Sequence, residues 1–587
     1  MATRIIGIDF GTSTTVVRIH NVGTENRIVP LTVNGNRTIP TIAFQPKDSD
    51  EIYYGYDAQS KIGSMYEGTV YENFKMYLIS DKSEERELAE LLIQGFLKYV
   101  YAQYQNLLND GVFDAADEVK VYVSHPAKWN SYARNLMKQS VEAAGFCKQE
   151  NIALKDEPTA AILAVVHERQ AELIQAGMLH EGQKHKAMMI DMGAGTTDIV
   201  ICTYEIANGK LKLDNIFTYP SINAPGLCGG REIDKAIGSE VEIFINKMQK
   251  IPSESGRKVI KKIFQNVKRW KERAISPTLR KGIVLPEPDE IANFRDTLTE
   301  FGIPVMNEGE RFAISKKFFE TFTKNHWMKW VELLKGTFSE VQGKQYDNLD
   351  CPKKPEDVEV LIVTGGHSQW YIVSEYLSGK KSDFIDLPQM NFTKILENPK
   401  FLIQSDDPQE TVAVGLCHLD EDVVGPRAAS NDVSISFTCE GKYLGACELI
   451  RKGVPLPFEK RDYLIKNTIG GNFIFRKELK VEYSIVTDKT NTIVKSQTVP
   501  STSILETIIR AVLAVIGVAI FDIPKILWYF FRGELDKLDD MVIESIINNQ
   551  YEVELSPDLF VNEEEIIKVG GTIKVDGESL VIPEIVI

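Results

Sequence analysis

Apolar and polar positions alternate with two different periods over the first 170 residues. Up to residue 80, short apolar runs such as RIIGIDFG and STTVVRIH are separated by Gly, Asn and Pro, a pattern that predicts β-hairpins. Residues 84–109 carry apolar positions at helical spacing and predict a helix. We expect a strand at Val119–Val123, a helix at Ser131–Ala144, and a further helix from Pro158, since proline fits the first turn of a helix. This mixture predicts an α/β fold.

The same alternation continues to about residue 420. A second hairpin is expected from Ala187, helical structure over 231–275, an apolar strand at Val358–Gly366 and a short helix over 409–419. The sequence VVGPRAASND then has the composition of a linker. We therefore place the end of the first domain near residue 425.

Beyond the linker the pattern is that of a β-rich domain. Strand candidates lie at Val433–Thr438, Asn472–Phe475 and Lys480–Val486, and residues 551–587 return to short strands. Residues 501–548 show helical periodicity instead. The predicted organisation is therefore domain 1–425, then a β-rich domain 432–587 with a helical insertion at 501–548.

The insertion contains the most apolar part of the chain. The runs Ala511–Phe521 and Ile526–Phe531 are separated by Asp522 and Pro524, whereas a transmembrane helix needs about 20 apolar residues in succession. The pattern favours a buried helix pair or an oligomer interface over a membrane span. We expect residues 504–531 to form a hydrophobic contact with the rest of the domain, a second copy, a partner or a membrane surface.

Composition narrows the class of protein. The chain has 587 residues, enough for about two to four domains, and its net charge of −16 argues against a nucleic-acid partner, because phosphate repels an acidic protein. Its seven cysteines include no CxxC pair, so neither a disulfide framework nor a zinc site is expected. The N-terminus MATRIIGIDF lacks the apolar core of a signal peptide, and we expect a cytoplasmic protein.

One short pattern occurs twice, about 180 residues apart. In each copy an apolar strand ends in Asp, a Gly/Thr turn follows, and a second apolar strand leaves the turn. The first copy contains Asp9, Gly11, Thr12, Ser13 and Thr14, and the second contains Asp191, Gly193, Ala194, Gly195, Thr196, Thr197 and Asp198.

These residue types predict a site for phosphate. Glycines allow close approach of a ligand to the backbone, and successive turn N–H groups with Thr and Ser hydroxyls form an anion-binding nest. A carboxylate at the strand end would hold hydrated Mg²⁺ or a water molecule. A single copy could be an ordinary hairpin with a Gly turn, but two copies favour a pair that grips a triphosphate. The sequence contains neither GxxxxGK[ST] nor GxGxxG. In LIVTGGHSQW, Gly365 and Gly366 follow an apolar strand and would let a flat base or ribose lie on the backbone.

Together these motifs resemble the seventy-kilodalton heat-shock chaperone (DnaK-like) family of the actin, sugar-kinase and heat-shock superfamily, over roughly residues 4–420. GIDFGTST and IDMGAGTTDIV resemble its phosphate motifs, KDEPTAAILA its connecting helix, LCGGREID its far-side nucleotide contact and VTGGHSQW its adenosine motif. The resemblance implies a two-lobed actin-like ATPase domain with a duplicated RNase H-like fold. The β-rich C-terminal domain resembles the family's β-sandwich substrate domain only in composition.

The resemblance implies roles for individual residues. The implied catalytic and metal-shell residues are Asp9 and Asp191, which would hold Mg²⁺ through water, with Lys75, Glu157 and Asp198. The implied phosphate contacts are Gly11, Thr12, Ser13, Thr14, Gly193, Ala194, Gly195, Thr196 and Thr197. The implied adenosine-side contacts are Gly229, Gly230, Gly365, Gly366, His367 and Gln369, with Lys268, Lys271 and Glu272 as alternatives on one helix. Pro126 and Arg134 match the family's proline switch and its arginine.

Several of these assignments have an ordinary alternative or depart from the family. Lys75 could be a solvated surface lysine, and Pro126 with Arg134 could be a strand-ending proline and a surface arginine. His367 stands where the family has serine and Gln369 where it has arginine, so base stacking or affinity would differ. The linker lacks the family's acidic, leucine-rich sequence. The allosteric coupling between domains that is usual in the family is therefore not expected to carry over unchanged.

The sequence therefore predicts a chaperone-like protein that binds ATP or ADP with Mg²⁺, hydrolyses ATP slowly, and uses lobe closure to control a protein or peptide client, with a co-chaperone and oligomerisation as further expectations. Three alternatives share the same motifs: an actin-like filament ATPase, a small-molecule kinase, and a nucleotide-sensing scaffold.

Overall fold

A computed structural model describes residues 3–586 with gaps. The gaps are 23–27, 64–66, 81, 114–115, 127–128, 221–227, 249–275, 282–313, 406, 421, 426–428, 430–431, 440–441, 452, 461–462, 471–477, 488–490, 501–549, 563–565 and 576–577. The predicted insertion 501–548, its contact surface 504–531, the strand candidate Asn472–Phe475 and the alternatives Lys268, Lys271 and Glu272 lie outside the described residues. The chain divides into two compact units, Met1–Trp129 with Leu136–Arg427 and Asn130–Asn135 with Ala428–Ile587.

The N-terminal part of the first unit contains a six-stranded mixed sheet and a separate antiparallel sheet of three strands. The mixed sheet consists of β1 Thr3–Phe10, β2 Thr14–Val22, β3 Ile28–Pro30, β4 Thr38–Pro40, β8 Glu118–His125 and β9 Ile152–Asp156, and the three-stranded sheet consists of β5 Ile42–Pro46, β6 Tyr53–Tyr54 and β7 Gly68–Glu72. The helices are α1 Gly55–Gly63, α2 Phe74–Tyr77, α3 Ser83–Asn109, α4 Ser131–Ala144, α5 Glu157–Glu168 and α6 Gln170–Gln175, and residues 131–135 of α4 group with the second unit. The helices predicted over 84–109 and Ser131–Ala144 are confirmed. The first 80 residues also contain the helices α1 and α2, which the hairpin prediction missed. Both helices are too short to show helical periodicity in the sequence.

The remainder of the unit is built on a second sheet. Its strands are β10 His185–Met192, β11 Thr197–Ala207, β12 Lys210–Tyr219, β13 Val360–Thr364, β14 Leu402–Gln404 and β15 Val423–Val424. Its helices are α7 Gly230–Met248, α8 Ser276–Arg280, α9 Lys316–Val341, α10 Tyr371–Leu377, α11 Thr393–Glu397 and α12 Thr411–Cys417. Among the described residues, no helix has both the length and the hydropathy needed to cross a bilayer.

The two sheets share one connectivity. The strand order is β3-β2-β1-β8-β9 in the first sheet and β12-β11-β10-β13-β14 in the second. In both, the first two pairings are antiparallel and the last two are parallel. The two Asp-Gly-Thr turns therefore occupy equivalent positions, one between β1 and β2 and the other between β10 and β11.

The helices that follow the last strand of each copy pack closely against each other. At the N-terminus of α5, the Asp156 carboxylate accepts a hydrogen bond of 3.0 Å from the Thr159 backbone N–H. On α12, a Cβ placed on Gly415 would lie 1.7 Å from the carbonyl oxygen of Ala160. Glycine is therefore required at this crossing, which joins α5 and α12 in the core of the unit.

The second unit consists of two antiparallel sheets. One has the order β17-β16-β20-β21, and in the other β18, β22, β23 and β24 follow one another while β19 also pairs with β22. Phe437 and Val481 from the first sheet share a hydrophobic core with Leu555 and Ile573 from the second. The strand bounds are β16 Val433–Cys439, β17 Lys442–Ile450, β18 Phe458–Lys460, β19 Ile465–Gly470, β20 Glu478–Thr487, β21 Asn491–Pro500, β22 Gln550–Val561, β23 Ile567–Val575 and β24 Glu578–Val586.

Candidate functional site

The two hairpin turns lie against each other in the first unit. A Cβ on Gly195 would lie 3.0 Å from the Thr12 hydroxyl oxygen, so the second turn approaches the first directly. Within the turns, the Gly11 N–H donates to the Asp9 carbonyl at 3.1 Å and the Gly193 N–H donates to the Thr196 carbonyl at 2.9 Å. The repeated motif therefore forms one joint site.

Helix α7 is attached to the second turn at its N-terminus. The Gly230 N–H donates to the Gly193 carbonyl at 3.1 Å, and the Arg231 N–H donates to the Ala194 carbonyl at 2.9 Å. A Cβ on Gly229 would lie 2.6 Å from the Ala194 carbonyl oxygen. The glycine pair is therefore needed for the close approach of α7 to the turn, and only Gly230 of the pair lines the cavity described below.

A buried lysine–carboxylate pair lies at the base of the site. The Lys75 ammonium is 2.6 Å from Glu157 Oε1, and the side chains are 2% and 10% exposed. Lys75 lies on α2 and Glu157 begins α5, so two separate elements bring them together. The Lys75 nitrogen also lies 5.5 Å from the Trp129 ring and 5.9 Å from the Phe10 ring. Lys75 is therefore not a solvated surface lysine.

Carboxylates surround this single pair. Burial, together with the neighbouring Glu157, raises the pKa of Asp9 from 3.8 to about 7, although Lys75 and the Ser124 hydroxyl act in the opposite direction. The Ser124 hydroxyl donates to Asp9 Oδ1 at 2.7 Å. Burial also raises the pKa of Asp191 well above 3.8, with Glu157 and Asp9 adding to the effect. The excess of buried negative charge favours the binding of a cation.

The strand β13 ends at a glycine with a special conformation. Gly365 has φ +81°, and a Cβ there would lie 2.5 Å from Asp191 Oδ1. The next residues form a 3-10 turn at Gly366–Gln369, in which His367 is buried against Trp327 with nearly parallel rings 5.5 Å apart. The turn therefore brings Gly365, Gly366, His367 and Gln369 to the site next to Asp191.

A cavity of about 340 Å³ joins these parts. It is lined by predicted residues from every motif: Asp9, Gly11, Thr12, Ser13, Thr14, Lys75, Glu157, Asp191, Gly193, Ala194, Gly195, Thr196, Gly230, Gly365, Gly366, His367 and Gln369.

Five predicted residues lie outside this lining. The Thr197 hydroxyl donates to the Cys228 carbonyl at 2.6 Å, and Asp198, which is 1% exposed, pairs with Asp191 across β10 and β11. Gly229 packs on the second turn. Pro126 follows β8, and Arg134 lies fully buried on α4.

The cavity also contains residues that sequence reasoning did not assign: Thr38, Asp234, Trp370, Pro408, Gln409 and Val412. Asp234 and Trp370 stand inside LCGGREID and VTGGHSQW, and Thr38 within NRTIP, so the motifs held a signal for these three. Pro408, Gln409 and Val412 lie around the start of α12, and the sequence contains no local pattern that marks them.

Two copies of one sheet connectivity, each with a Gly/Thr turn at a shared cavity, define the actin-like class of α/β folds. Within this class, a family model described as Hsp70 protein matches residues 5–287 of the chain.

Curated relatives match the chain at low identity. The chain is 22% identical over 377 residues to the chaperone protein DnaK of Thermosipho melanesiensis, covering 64% of this chain and 54% of that one. It is 22% identical over 424 residues to DnaK of Thermoplasma acidophilum, and the match covers 70% of this chain and 57% of that one. It is 27% identical over 257 residues to DnaK of Elusimicrobium minutum, and the match covers 42% of this chain and 36% of that one. The chain spans about half the length of the curated relatives it matches.

Proposed function

We propose that the first unit binds ATP and ADP with Mg²⁺ in this cavity and hydrolyses ATP slowly. The observation that carries the proposal is the pairing of two equivalent Gly/Thr turns above the buried Lys75–Glu157 pair. Such turns offer backbone N–H groups and hydroxyls to phosphate oxygens, and the cavity volume of about 340 Å³ is within the usual range for a small-molecule site.

The carboxylates fit Mg²⁺. Asp191 is buried and Asp9 is partly buried, and their raised pKa values mean that each is destabilised as an anion without a compensating charge. Mg²⁺ prefers oxygen ligands and retains several waters, so both carboxylates would hold it through water. Bound Mg²⁺ would neutralise charge on the phosphates during phosphoryl transfer.

The remaining residues would position the reactants. Thr12, Ser13, Thr14 and Thr196 would contact the phosphates, and Lys75 would stabilise charge that develops on the γ-phosphate. Glu157 holds the Lys75 ammonium in place through the 2.6 Å contact. Asp198, with Glu157, would orient water and the metal shell, although Asp198 would act from beyond the cavity lining.

The test is calorimetry with ATP and Mg²⁺, combined with phosphate release without any added acceptor. We expect one ATP per chain, and slow release that Asp191→Asn or Lys75→Ala reduces by about 10²–10³-fold while ATP binding weakens less. The exposed Lys98→Ala on α3 is the control and should not change either value. Absence of ATP binding by the wild type would overturn the proposal, release that requires an acceptor would indicate a kinase, and ATP-dependent sedimentation would indicate a filament.

We further propose that closure of two lobes around ATP controls the binding of a protein or peptide client by the β-rich unit, in the cytoplasm and with a co-chaperone. The support is the match of the Hsp70 family model to residues 5–287 and the presence of a separate unit of two antiparallel sheets with a shared core. If Pro126 and Arg134 transmit the nucleotide state, ATP should change protease cleavage of the wild type at residues 425–431, and Arg134→Ala should abolish that change without loss of ATP binding. Identical cleavage of the wild type with and without ATP would contradict this proposal.

A further inference from the structure

A thiol, an imidazole and a carboxylate meet beside the nucleotide cavity. Cys228 lies two residues before the start of α7, Glu232 lies in the first turn of α7, and His326 lies in the middle of α9. One ligand atom from each lies within 4.8 Å of the others. The His326 Nδ1 atom is 3.0 Å from Glu232 Oε2 and 3.9 Å from the Cys228 sulfur.

We propose that Cys228, Glu232 and His326 form a binding site for a divalent transition metal of the Zn²⁺ type. Zn²⁺ binds sulfur at about 2.3 Å and imidazole nitrogen or carboxylate oxygen at about 2.0–2.2 Å, which places tetrahedral ligand atoms roughly 3.3–3.8 Å apart. The separations from His326 Nδ1, 3.0 Å to Glu232 and 3.9 Å to Cys228, differ from this range by only a few tenths of an ångström, and the Cys228 and Glu232 ligand atoms lie within 4.8 Å of each other. A hard cation such as Mg²⁺ would not choose a thiolate.

The surroundings of His326 support a metal ligand. Its other nitrogen, Nε2, lies 2.8 Å from His367 Nε2. A metal-bound histidine almost always donates its second N–H to a fixed acceptor, which sets the tautomer and the ring orientation. His367 is 4% exposed and stacked on Trp327, so it is a fixed partner.

The ligands also leave room for one more. Cys228 and His326 are 2% and 6% exposed, but the Glu232 side chain is 35% exposed. Lys329 lies 3.7 Å from the other Glu232 oxygen, Oε1, and leaves Oε2 to the metal. Three protein ligands with an accessible fourth position are typical of zinc sites that hold water or an exogenous ligand.

Binding would link the metal to the nucleotide cavity at two points. The Cys228 thiol would release its proton to solvent. The His326 proton would move from Nδ1 to Nε2 and be donated to His367, whose own proton would then lie on Nδ1. On the other side, the Cys228 carbonyl accepts from Thr197, and Gly229 packs against the second turn. The metal site itself stands without the proposed ATPase activity; only this linkage depends on it.

Co²⁺ binding to the full chain tests the proposal. The protein is first stripped with a chelator and then titrated with Co²⁺ alone while thiolate-to-Co²⁺ charge-transfer absorption is recorded. We expect the wild type to bind one equivalent of Co²⁺ and to show this absorption. The absorption should disappear when Zn²⁺ is added and displaces Co²⁺. Cys228→Ser should lack the absorption, whereas Cys147→Ser, which changes a thiol outside the cluster, should retain it.

Two further variants guard against a folding defect at the buried Cys228. Glu232→Ala changes a partly exposed ligand and should retain the thiolate band but weaken Zn²⁺ binding by about tenfold or more. His367→Ala should weaken it by about 10–100-fold, as expected for the partner of a metal ligand. A wild type without the band, a band that persists in Cys228→Ser, or Zn²⁺ affinity unchanged in Glu232→Ala would each overturn the proposal and leave an ordinary hydrogen-bonded cluster.

Discussion

Replacement of Lys75 by methionine isolates the energetic role of the buried pair. Methionine preserves most of the length and volume of the side chain but removes the charge that lies 2.6 Å from Glu157. Removal of one partner of a buried ion pair costs about 3–5 kcal/mol, because the other charge stays buried without compensation. Asp9 and Asp191 add to this cost, since Lys75 lowers the pKa of both.

The companion variant Glu157→Gln should cost less, about 1.5–3 kcal/mol, the value of a hydrogen bond to a charged group. The glutamine amide oxygen would still accept a hydrogen bond from the Lys75 ammonium, and Asp9, with its pKa of about 7, would keep part of its negative charge at pH 7. In the double variant both charges are absent, so its loss should be well below the sum of the single losses. The expected coupling free energy is about 2–3 kcal/mol.

The assay is urea unfolding of the metal-free protein at pH 7, followed by tryptophan fluorescence. The Trp129 ring lies 5.5 Å from the Lys75 nitrogen and therefore reports on this region. Lys98→Met, an exposed change on α3, is the control and should stay within about 0.5 kcal/mol of the wild type. Additive single losses, or a Lys75→Met loss below about 1 kcal/mol, would refute the reasoning.

Two further predictions concern stability. Because Asp9 has a pKa raised from 3.8 to about 7, the metal-free folded state binds more protons than the unfolded state in that window, and stability should fall as pH rises from about 4 to about 7. Asp9→Asn should therefore raise the melting temperature in chelator at pH 7 but not near pH 4, and an equal shift at both pH values would contradict this. Gly415→Ala should destabilise by about 1–3 kcal/mol or more in urea unfolding, since its Cβ would meet Ala160 at 1.7 Å. Gly366→Ala is the matched control, because its nearest contact is 3.6 Å; equal losses in both variants would show that the helix crossing is not the cause.

Local chemistry made much of the first unit predictable. The repeated Asp-Gly-Thr turn was recognisable because its glycines, hydroxyls and carboxylate are adjacent in sequence, and the structure places both turns at one cavity. The α3 and α4 helices were predicted close to their observed bounds because each is long enough to show its periodicity. Helix α2 was not, since four residues carry no period.

The sequence by itself determined where the chain turns, which strands are apolar, and which residue types stand beside a phosphate site, because these properties depend on neighbours along the chain. Only the tertiary structure decided that Lys75 is buried against Glu157, 82 positions away, and that Cys228 meets His326, 98 positions away. The cluster of Cys228, Glu232 and His326 was not expected from the sequence, because no CxxC spacing marks it. Contacts of this kind depend on how separate helices pack, and packing is a property of the whole unit that no local pattern encodes.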